Sequence, residues 1–366
     1  MRIAFDFQAF VRNSYGGISR YFTRLARDLS NVGQEVGVFA PLHQNCHLSM
    51  LPRKIVRGRY ASYPPEAVRL ALAYNRFRYH FQISGWEPDV VHETYYARIG
   101  SAPRACPTVI TVHDMIHELF PDEFPVWDRT AAIKRAAVDR ADHVICVSEN
   151  TRSDLMRLYG TPTSKLSVVH HGSDQLARRM SAGHGAVTGG RPFLLYVGER
   201  KGYKNFSGLL KAVASSRKLV SEFDIVAFGG PRFSPVEMER IASLGFAPNQ
   251  VLHKSGGDDH LGSLYSSARA LVYPSLYEGF GFPPLEAMAH RCPVISSNSS
   301  AIPEITGSAG EYFDPTDIDD MRRAIEAVVY SDSRVENLRK AGAERLRAFS
   351  WKKCVQETLD IYRSLI

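Results

Sequence analysis

The sequence has no cysteine pair at the spacing of a metal or redox site. Its five cysteines are scattered: Cys46, Cys106, Cys146, Cys292 and Cys354. This scatter suggests neither a zinc site nor a disulfide framework. Long apolar runs are also missing, since none approaches the roughly 20 residues of a membrane-spanning helix. The first strand-like run, IAFDF, is interrupted by Asp6 and is unlike a signal peptide. We therefore expect a soluble, cytoplasmic protein.

Several motifs of other protein classes are missing as well. Neither YGGISR nor FGGPRF fits the G-x-G-x-x-G pattern of a nicotinamide oxidoreductase. The basic residues are spread along the chain without a recognition motif, so we expect no nucleic acid partner. No Asp-x-Asp follows a strand as a divalent diphosphate site would require, and we expect no metal. The formal charge of +7 also suits a phosphorylated ligand or a membrane surface.

Strand-like and helix-like patterns alternate along the 366 residues, which are too many for one ordinary core. Alternation of this kind predicts an α/β fold with two doubly wound parallel sheets, whose ligands bind at the carboxyl ends of the strands. A Gly- and Ala-rich segment without a clear period separates the two halves. We expect an N-terminal domain at 1–174, a linker at 175–191, a C-terminal domain at 192–349 and a last helix at 350–366.

The segment YEGFGFPPLEAMA carries the most specific chemistry. A strand-like ALVYPS precedes it, and Pro283–Pro284 suits the first turn of a helix. The Gly279–Gly281 turn lets backbone amides approach an anion, and the helix start adds about half a positive charge, so we expect a phosphate here. Glu278 and Glu286 flank this site, although a carboxylate repels phosphate. Their presence is explained if each accepts hydrogen bonds from sugar hydroxyls at opposite ends of the phosphate group. A nucleotide sugar has this arrangement, with a ribose on one side of its phosphates and a second sugar on the other. Alternatively, Glu286 complements the helix dipole and Glu278 is a solvated acid.

This motif, followed by CPVISSNSSAIPEI, resembles the donor-site motif of glycosyltransferase family 4, which comprises retaining enzymes of the GT-B fold. The segments YGGISRY, TVHD, CVSENTRSDL, YVGERKGYKN and FSWKKCVQETLDIY are similar to the same family. The likeness covers nearly the whole chain and is weakest between about Pro41 and Trp86. It implies two Rossmann-like domains that face each other across a cleft, with the last helix crossing back to the N-terminal domain.

The resemblance also implies a role for each residue of the donor site. Glu286 would bind the ribose hydroxyls, and Glu278 would lie beside the donor sugar. Lys204 would hold the diphosphate with a second cation. Glu199 stands where many members of the family have arginine, so Arg200 is predicted to be that cation. Four backbone amides would meet the sugar and diphosphate: Phe280, Gly281, Phe282 and Leu285.

Other candidates lie in the N-terminal half. Gly16–Gly17 precedes a helix and either addresses a phosphate or serves a turn that needs permissive φ angles. His113 ends the strand TVITVHD; the resemblance places it beside the reacting sugar, and a structural role is the alternative. Asp114 either holds His113 or caps the next segment. Two other strand-end sites, His92 and His170–His171, are expected to be structural.

We therefore expect a retaining, metal-independent hexosyltransferase without a cofactor that acts in polysaccharide or cell-surface glycan assembly. The donor would be a nucleoside diphosphate sugar, with GDP-mannose favoured because YVGERKGYKNF and GGISRYF resemble mannosyltransferase-type members. The acceptor, a glycan or lipid-linked glycan, would bind the N-terminal domain. The segment EAVRLALAYNRFRYHF either packs on the sheet with a solvated basic face or rests on an anionic membrane. The rival functions are a nucleotide-sugar epimerase of similar shape and a non-catalytic sugar-nucleotide-binding module.

Overall fold

The computed structural model describes residues 1–12, 14–173 and 190–366. Most of the predicted linker at 175–191 therefore lies outside the described residues. The chain forms two compact units. Unit 1 comprises Met1–Glu118, Pro125–His171 and Trp351–Ile366, and unit 2 comprises Leu119–Phe124 and Gly172–Ser350.

Unit 1 is built on a six-stranded parallel sheet. The strands of this unit include the two strands of a separate short ladder, β3 and β4. In chain order they are β1 (Arg2–Phe5), β2 (Glu35–Val38), β3 (Leu42–His43), β4 (Arg59–Tyr60), β5 (Val90–Glu93), β6 (Thr108–Val112), β7 (His143–Cys146) and β8 (Leu166–Val168). The six-stranded sheet has the order β2-β1-β5-β6-β7-β8, and β3 pairs only with β4. The central strands are buried throughout, as expected of a parallel sheet with both faces covered.

Helices cover this sheet: α1 (Gln8–Val11), α2 (Gly17–Asn31), α3 (Val68–Ser84), α4 (Ile116–Leu119), α5 (Thr130–Arg140) and α6 (Glu149–Tyr159). The amphipathic spacing of the sequence predicts α2, and the structure buries Phe22, Leu25 and Leu29 on one of its faces. Helix α6 is capped by Ser148, whose hydroxyl accepts a hydrogen bond from the Thr151 amide.

Unit 2 repeats the plan with six parallel strands: β9 (Phe193–Val197), β10 (Asp224–Phe228), β11 (Val251–Lys254), β12 (Ala270–Tyr273), β13 (Val294–Ser297) and β14 (Gly310–Phe313). The strand order is β11-β10-β9-β12-β13-β14. Its helices are α7 (Phe206–Ala214), α8 (Arg217–Glu222), α9 (Pro235–Ser243), α10 (Asp258–Ser267), α11 (Phe282–Ala289), α12 (Ile302–Thr306), α13 (Ile318–Val329) and α14 (Asp332–Arg345). The two parallel sheets confirm the α/β fold class.

The last helix, α15 (Trp351–Ser364), belongs to unit 1. Its apolar stripe includes Trp351, Val355, Leu359 and Tyr362, and all four side chains join the buried core of that unit. The stripe that the sequence shows in this helix therefore packs on the sheet formed by the first half of the chain.

Both sheets reverse their strand order beside their first strand. In unit 1, β1 lies between β2 and β5, and in unit 2, β9 lies between β10 and β12. The loops that leave the two strands on either side of such a reversal run to opposite faces, which opens a crevice at the carboxyl edge. The loops after β1 and β5 and those after β9 and β12 are thus the first places to look for ligands. In the described part of the chain, no helix has the length and apolarity needed to cross a membrane.

Candidate active site

The crevice of unit 2 brings together two predicted site residues. Lys204 lies in the loop after β9, and Glu278 lies in the loop after β12. The Lys204 ammonium donates to both carboxylate oxygens of Glu278, at 2.7 Å from Oε1 and 2.9 Å from Oε2. The two side chains are only 17% and 9% exposed, so this ion pair is largely shielded from solvent. A cation and a carboxylate are therefore fixed at the point where the strand order reverses.

The surroundings of Glu278 hold its position. The Glu278 amide donates to the Ser300 hydroxyl at 2.9 Å. Tyr273 lies nearby, and its pKa is raised well above the ordinary value, first by burial and then by the negative charge of Glu278. The Lys204 ammonium also lies 6.0 Å from the centre of the Tyr273 ring. Burial of this kind strengthens every charge interaction at the site.

Glu286 is fixed by an interaction that the sequence analysis did not predict. The Tyr265 hydroxyl donates to Glu286 Oε2 at 3.0 Å. Tyr265 is buried and stacks on His290, with 5.8 Å between the ring centres and 14° between the planes. Its pKa is raised well above the ordinary value by burial and by the charge of Glu286. The partner was missed because Tyr265 is 21 residues away on α10, where it reads as an ordinary apolar position.

The start of α11 has the form that the sequence predicts. Gly281 precedes the helix with φ +119°, a left-handed conformation that favours glycine, and a Cβ there would meet no atom within 4 Å. Phe280 and Leu285 are buried, and Phe282 is half-buried. The side chains of Phe280 and Leu285 therefore belong to the interior, so the amides are the groups these residues can offer to a ligand.

Arg200 has other partners than the predicted diphosphate. Its Nε donates to Glu237 Oε1 at 2.6 Å, and its two terminal nitrogens donate to the carbonyls of Gly229, Pro231 and Arg232. The side chain is 4% exposed, and its guanidinium lies 4.6 Å from the centre of the Phe233 ring. Arg200 thus braces the loop after β10, and the role in diphosphate binding stays a prediction.

Glu199, which stands where the family often has arginine, is exposed and pairs with Lys201 at 3.1 Å. The Glu199 carbonyl accepts a hydrogen bond from the Tyr196 hydroxyl at 2.8 Å. This contact anchors the backbone at the end of β9 and leaves the Glu199 carboxylate at the surface. This loop therefore holds two shielded cations, Arg200 paired with Glu237 and Lys204 paired with Glu278.

His113 lies at the end of β6 in unit 1, as predicted. Its ring stacks on that of His171, with 5.7 Å between the centres and 9° between the planes. The Tyr21 ring lies nearly perpendicular to it, with 5.6 Å between the centres. Burial lowers the pKa of His113 to about 4, with Asp114 acting in the opposite direction and Lys134 in the same one. The imidazole is therefore neutral at physiological pH.

Gly16 and Gly17 form the start of α2 and line a cavity of about 290 Å³. Gly16 has φ 175°, which any residue adopts, and Gly17 is not among the residues with positive φ. A Cβ on Gly17 would meet nothing within 4 Å. The φ angles therefore do not require glycine at either position, and a role of these two residues in ligand binding stays a prediction.

The same cavity lies at the strand reversal of unit 1, and the sequence analysis did not predict it. It is lined by Gln8, Ala9, Arg12, Gly16, Gly17, Ile18, Ser19, Tyr95, Tyr96, Thr130 and Ile133. The mixture of two aromatic rings with amide, hydroxyl and guanidinium groups is typical of small polar ligand sites, and the volume is at the lower end of their range of about 300–1,000 Å³. Tyr96 connects the cavity to the predicted site, because its hydroxyl accepts a hydrogen bond from the His113 amide at 3.4 Å.

A buried carboxyl group supports the walls of the cavity. Asp6 Oδ1 accepts hydrogen bonds from the amide and the hydroxyl of Thr94, at 2.9 and 2.6 Å. The Thr94 hydroxyl in turn accepts from the amide of Ala9, a lining residue, at 3.0 Å. Burial, followed by the nearby charge of Glu93, raises the pKa of Asp6 to about 7. The sequence did carry a signal for this residue, since Asp6 interrupts an otherwise apolar strand.

The remaining polar groups at strand ends have structural partners. Asp114 Oδ1 accepts from the Ile116 amide at 3.1 Å, so it caps the following segment. His92 contacts the hydroxyls of Tyr362 and Thr111 at 2.5 and 2.9 Å, which agrees with the structural role expected for it. Among the described residues, no group of three His, Cys, Asp or Glu side chains is placed to hold a metal ion.

Comparisons with known proteins cover almost the whole chain. Residues 15–175 match the family model described as Glycosyltransferase Family 4, and residues 183–345 match the model described as Glycosyl transferases group 1. The O-antigen chain mannosyltransferase B of Escherichia coli is 28% identical over 70% of each chain. The MMP alpha-(1->4)-mannosyltransferase of Mycolicibacterium hassiacum is 28% identical over 76% of this chain and 71% of its own. Anabaena HepE, solved in complex with UDP and glucose, superposes over 100% of both chains with a TM-score of 0.73 and 18% identity.

Proposed function

This chain belongs to glycosyltransferase family 4, and we propose that it transfers a hexose from a nucleoside diphosphate sugar, with retention at the anomeric carbon, to a hydroxyl of a glycan or lipid-linked glycan. The two-sheet architecture is the GT-B fold. We favour GDP-mannose as the donor because both curated relatives described above are mannosyltransferases. The UDP and glucose bound to HepE support a nucleoside diphosphate sugar as the class of donor.

The observation that carries this proposal is the shielded Lys204–Glu278 pair at the strand reversal of unit 2. A departing nucleoside diphosphate gains negative charge, and a cation already in place stabilises that charge without waiting for solvent to reorganise. In the proposed complex Lys204 contacts the diphosphate. Glu278, still within reach of the ammonium, accepts hydrogen bonds from hydroxyls of the donor sugar.

Glu286 is proposed to accept the hydrogen bonds of the ribose hydroxyls. Its Oε2 already accepts one hydrogen bond from Tyr265, which helps to orient the carboxylate, and a carboxylate accepts up to about four hydrogen bonds in all. The amides at the start of α11, after the left-handed Gly281, supply further donors to the diphosphate.

The acceptor is proposed to bind in the cavity of unit 1. About 290 Å³ accommodates one sugar ring, and the lining offers Gln8, Thr130 and Arg12 as hydrogen-bonding groups and Tyr95 as an aromatic wall. His113 adjoins this cavity through Tyr96. Since the imidazole is neutral, it can exchange hydrogen bonds with a sugar hydroxyl without adding charge.

In the proposed reaction, the bond between the anomeric carbon and the diphosphate oxygen breaks, and a bond to the acceptor oxygen forms on the same face of the sugar. The acceptor proton passes to an oxygen of the leaving diphosphate, so no protein nucleophile is needed. We propose that Lys204 and the amides of α11 stabilise the diphosphate in place of a metal ion. No observation favours the epimerase or the binding module over this reaction.

The first test is a thermal-shift screen with GDP, UDP, ADP and their sugars, because a ligand that binds only the folded state raises the melting temperature. We expect GDP and GDP-mannose to give the largest shifts. Glu286→Ala should abolish most of the shift, whereas Glu239→Ala, which removes an exposed acid of α9, should not.

Activity is tested by incubating the preferred donor with and without acceptor. Release of the diphosphate and a product of retained configuration should require the acceptor, and added chelator should not change the rate. Conversion of the donor alone to another sugar would indicate an epimerase. Absence of any nucleotide-dependent shift, together with full activity of Glu286→Ala, would overturn the proposal.

A further inference from the structure

Nearly all of the net charge of the protein comes from one short stretch. Residues 46–86 contain seven lysines and arginines and a single acid, Glu66, which gives this stretch a net charge of +6. The whole chain has a formal net charge of +7. The basic character of the protein is therefore concentrated in a segment of unit 1, where it includes β4, α3 and the loops beside them.

Helix α3, within this stretch, has a buried face and, on the opposite side, an exposed apolar face. One face is buried against unit 1 through Ala71, Asn75, Tyr79 and Ile83. The other carries four large apolar residues that are between 48% and 76% exposed: Leu70, Tyr74, Phe77 and Phe81. Their spacing of four, three and four residues aligns them in one ridge. The rings of Phe77 and Phe81 contact each other, with their centres 5.0 Å apart.

Arginines accompany this exposed ridge, and acids do not. Arg69, Arg76 and Arg78 are all exposed and form no ion pair with any residue in the described parts of the chain. None of the 17 residues of α3 is acidic, and Glu66 and Glu87 lie beyond its two ends. An unpaired set of guanidinium groups beside an apolar ridge leaves both kinds of surface available to a partner.

We propose that the exposed face of α3 docks onto a lipid bilayer that contains anionic lipids. The ridge of Leu70, Tyr74, Phe77 and Phe81 inserts at the boundary between headgroups and acyl chains, and the arginines contact the anionic headgroups. A nucleic acid partner would use the charge but would leave the aliphatic part of the ridge in water. A second copy of this chain would bring two sets of like charges together.

This surface lies outside the proposed donor and acceptor sites, so it is tested separately from the transfer reaction. The full chain is sedimented with vesicles of pure phosphatidylcholine and with vesicles that contain about 30% phosphatidylglycerol, near 0.1 M salt, where charges still interact over about 10 Å. We expect binding to the anionic vesicles only, and loss of that binding at about 1 M salt, where the screening length falls to about 3 Å.

Two sets of variants separate the contributions of charge and apolar contact. Phe77→Ser with Phe81→Ser removes the end of the ridge, and Arg69→Gln with Arg76→Gln and Arg78→Gln removes the charge. Each set should weaken the partition onto anionic vesicles by at least about tenfold. The arginine set loses about a factor of five for each basic residue near the surface, and the phenylalanine set loses the apolar area that the two rings would bury. All these positions are exposed, so the melting temperature and its shift with GDP should stay as in the wild type.

Matched controls are exposed positions elsewhere. Val32→Ser with Val236→Ser, and Arg217→Gln, should bind vesicles as the wild type does. Equal binding to neutral and anionic vesicles, or unchanged binding by both variant sets, would overturn the proposal. So would a dimer that Phe77→Ser with Phe81→Ser dissociates, or RNA binding in the absence of vesicle binding.

Discussion

At the scale of single residues, the ion pair of Lys204 and Glu278 ties the loop after β9 to the loop after β12 and is largely shielded from solvent. Both residues were predicted at the donor site from the segments that contain them. That they bind each other could not be predicted, because 74 positions separate them and only the strand order brings their loops together. For the same reason, Arg200 could not be assigned to Glu237, which is 37 positions away.

The Lys204–Glu278 pair should respond asymmetrically to substitution. Lys204→Met leaves a carboxylate that is 9% exposed without its cation, and we expect it to lower the free energy of unfolding by about 2–4 kcal/mol. Glu278→Gln should cost less, because the lysine side chain is the more exposed and flexible partner. Urea denaturation of the two single variants and of the double variant measures the coupling. Additive losses would contradict a direct interaction.

Both single variants should also lose transfer activity, by at least about 100-fold if the pair acts on the diphosphate and the donor sugar. Their kcat and KM for the donor should be measured on protein that is shown to be folded. Lys201→Met, which removes the exposed lysine beside Glu199, is the matched control and should retain activity close to that of the wild type.

The buried Asp6 should make the stability of unit 1 depend on pH. Its pKa rises from 3.8 in the unfolded chain to about 7 in the folded one, so the folded state holds a proton that the unfolded state has released. Stability from this group is therefore present at low pH and is lost as the pH rises from about 4 to 7, by up to about 4 kcal/mol. Half-buried His113 has a lowered pKa and acts in the opposite direction over a similar range.

The contribution of Asp6 is isolated by comparison with Asp6→Asn. We expect the difference in unfolding free energy between wild type and variant to change between pH 4 and pH 7 and to stay constant above that range. Hydrogen exchange in β1 and β5 at several pH values measures it. The exposed Asp139→Asn is the control, and a pH-independent difference for Asp6→Asn would show that the carboxyl is ionised throughout.

At the scale of elements, the strands and most helices were predictable, because buried parallel strands read as apolar runs and α2 and α15 carry clear helical stripes. The short ladder of β3 and β4 was not predicted, since two-residue strands have no period to detect. The cavity of unit 1 could not be predicted from the sequence either, because its lining residues come from α1, α2, α5 and the loop after β5. Such a lining depends on topology and on no local motif.

Two glycines at helix starts should behave differently when replaced by alanine. Gly281→Ala forces a side chain into φ +119° and should destabilise unit 2 by about 1–3 kcal/mol as well as weaken donor binding. Gly17→Ala meets neither strain nor neighbours, so stability should be equal to that of the wild type or slightly higher. If a ligand approaches Gly17, binding should nevertheless fall. Melting temperatures with and without GDP separate the two effects for Gly281→Ala, and melting temperatures with and without acceptor sugar separate them for Gly17→Ala.

At the scale of the whole molecule, each unit has its own apolar core. The chain segments that form unit 1 are far apart in sequence, since β1 and α15 stand at opposite ends of the described residues. The amphipathic stripe of α15 showed that the helix packs on something. The sequence pattern alone could not show which sheet it covers, because both sheets present apolar faces.

Removal of Trp351–Ile366 should therefore unfold unit 1 while unit 2 stays folded. The deletion exposes the core positions that Trp351, Val355, Leu359 and Tyr362 cover, and each fully buried side chain contributes about 1.5–3 kcal/mol. The sum is comparable with the entire stability of a domain, about 5–15 kcal/mol. Limited proteolysis should yield a protected fragment within 190–350. Protection of 1–171 instead would show that α15 is dispensable.

The ion pair between Lys204 and Glu278 also bears on how the reaction cycle ends. Under the proposed roles, Lys204 is not left without a counter-ion when the product nucleotide dissociates. Its ammonium pairs again with the Glu278 carboxylate, at 2.7 Å. An internal counter-ion of this kind competes with the product for the same cation. It therefore weakens product binding, and it offsets the free-energy cost of a shielded, unpaired ammonium after the product has dissociated.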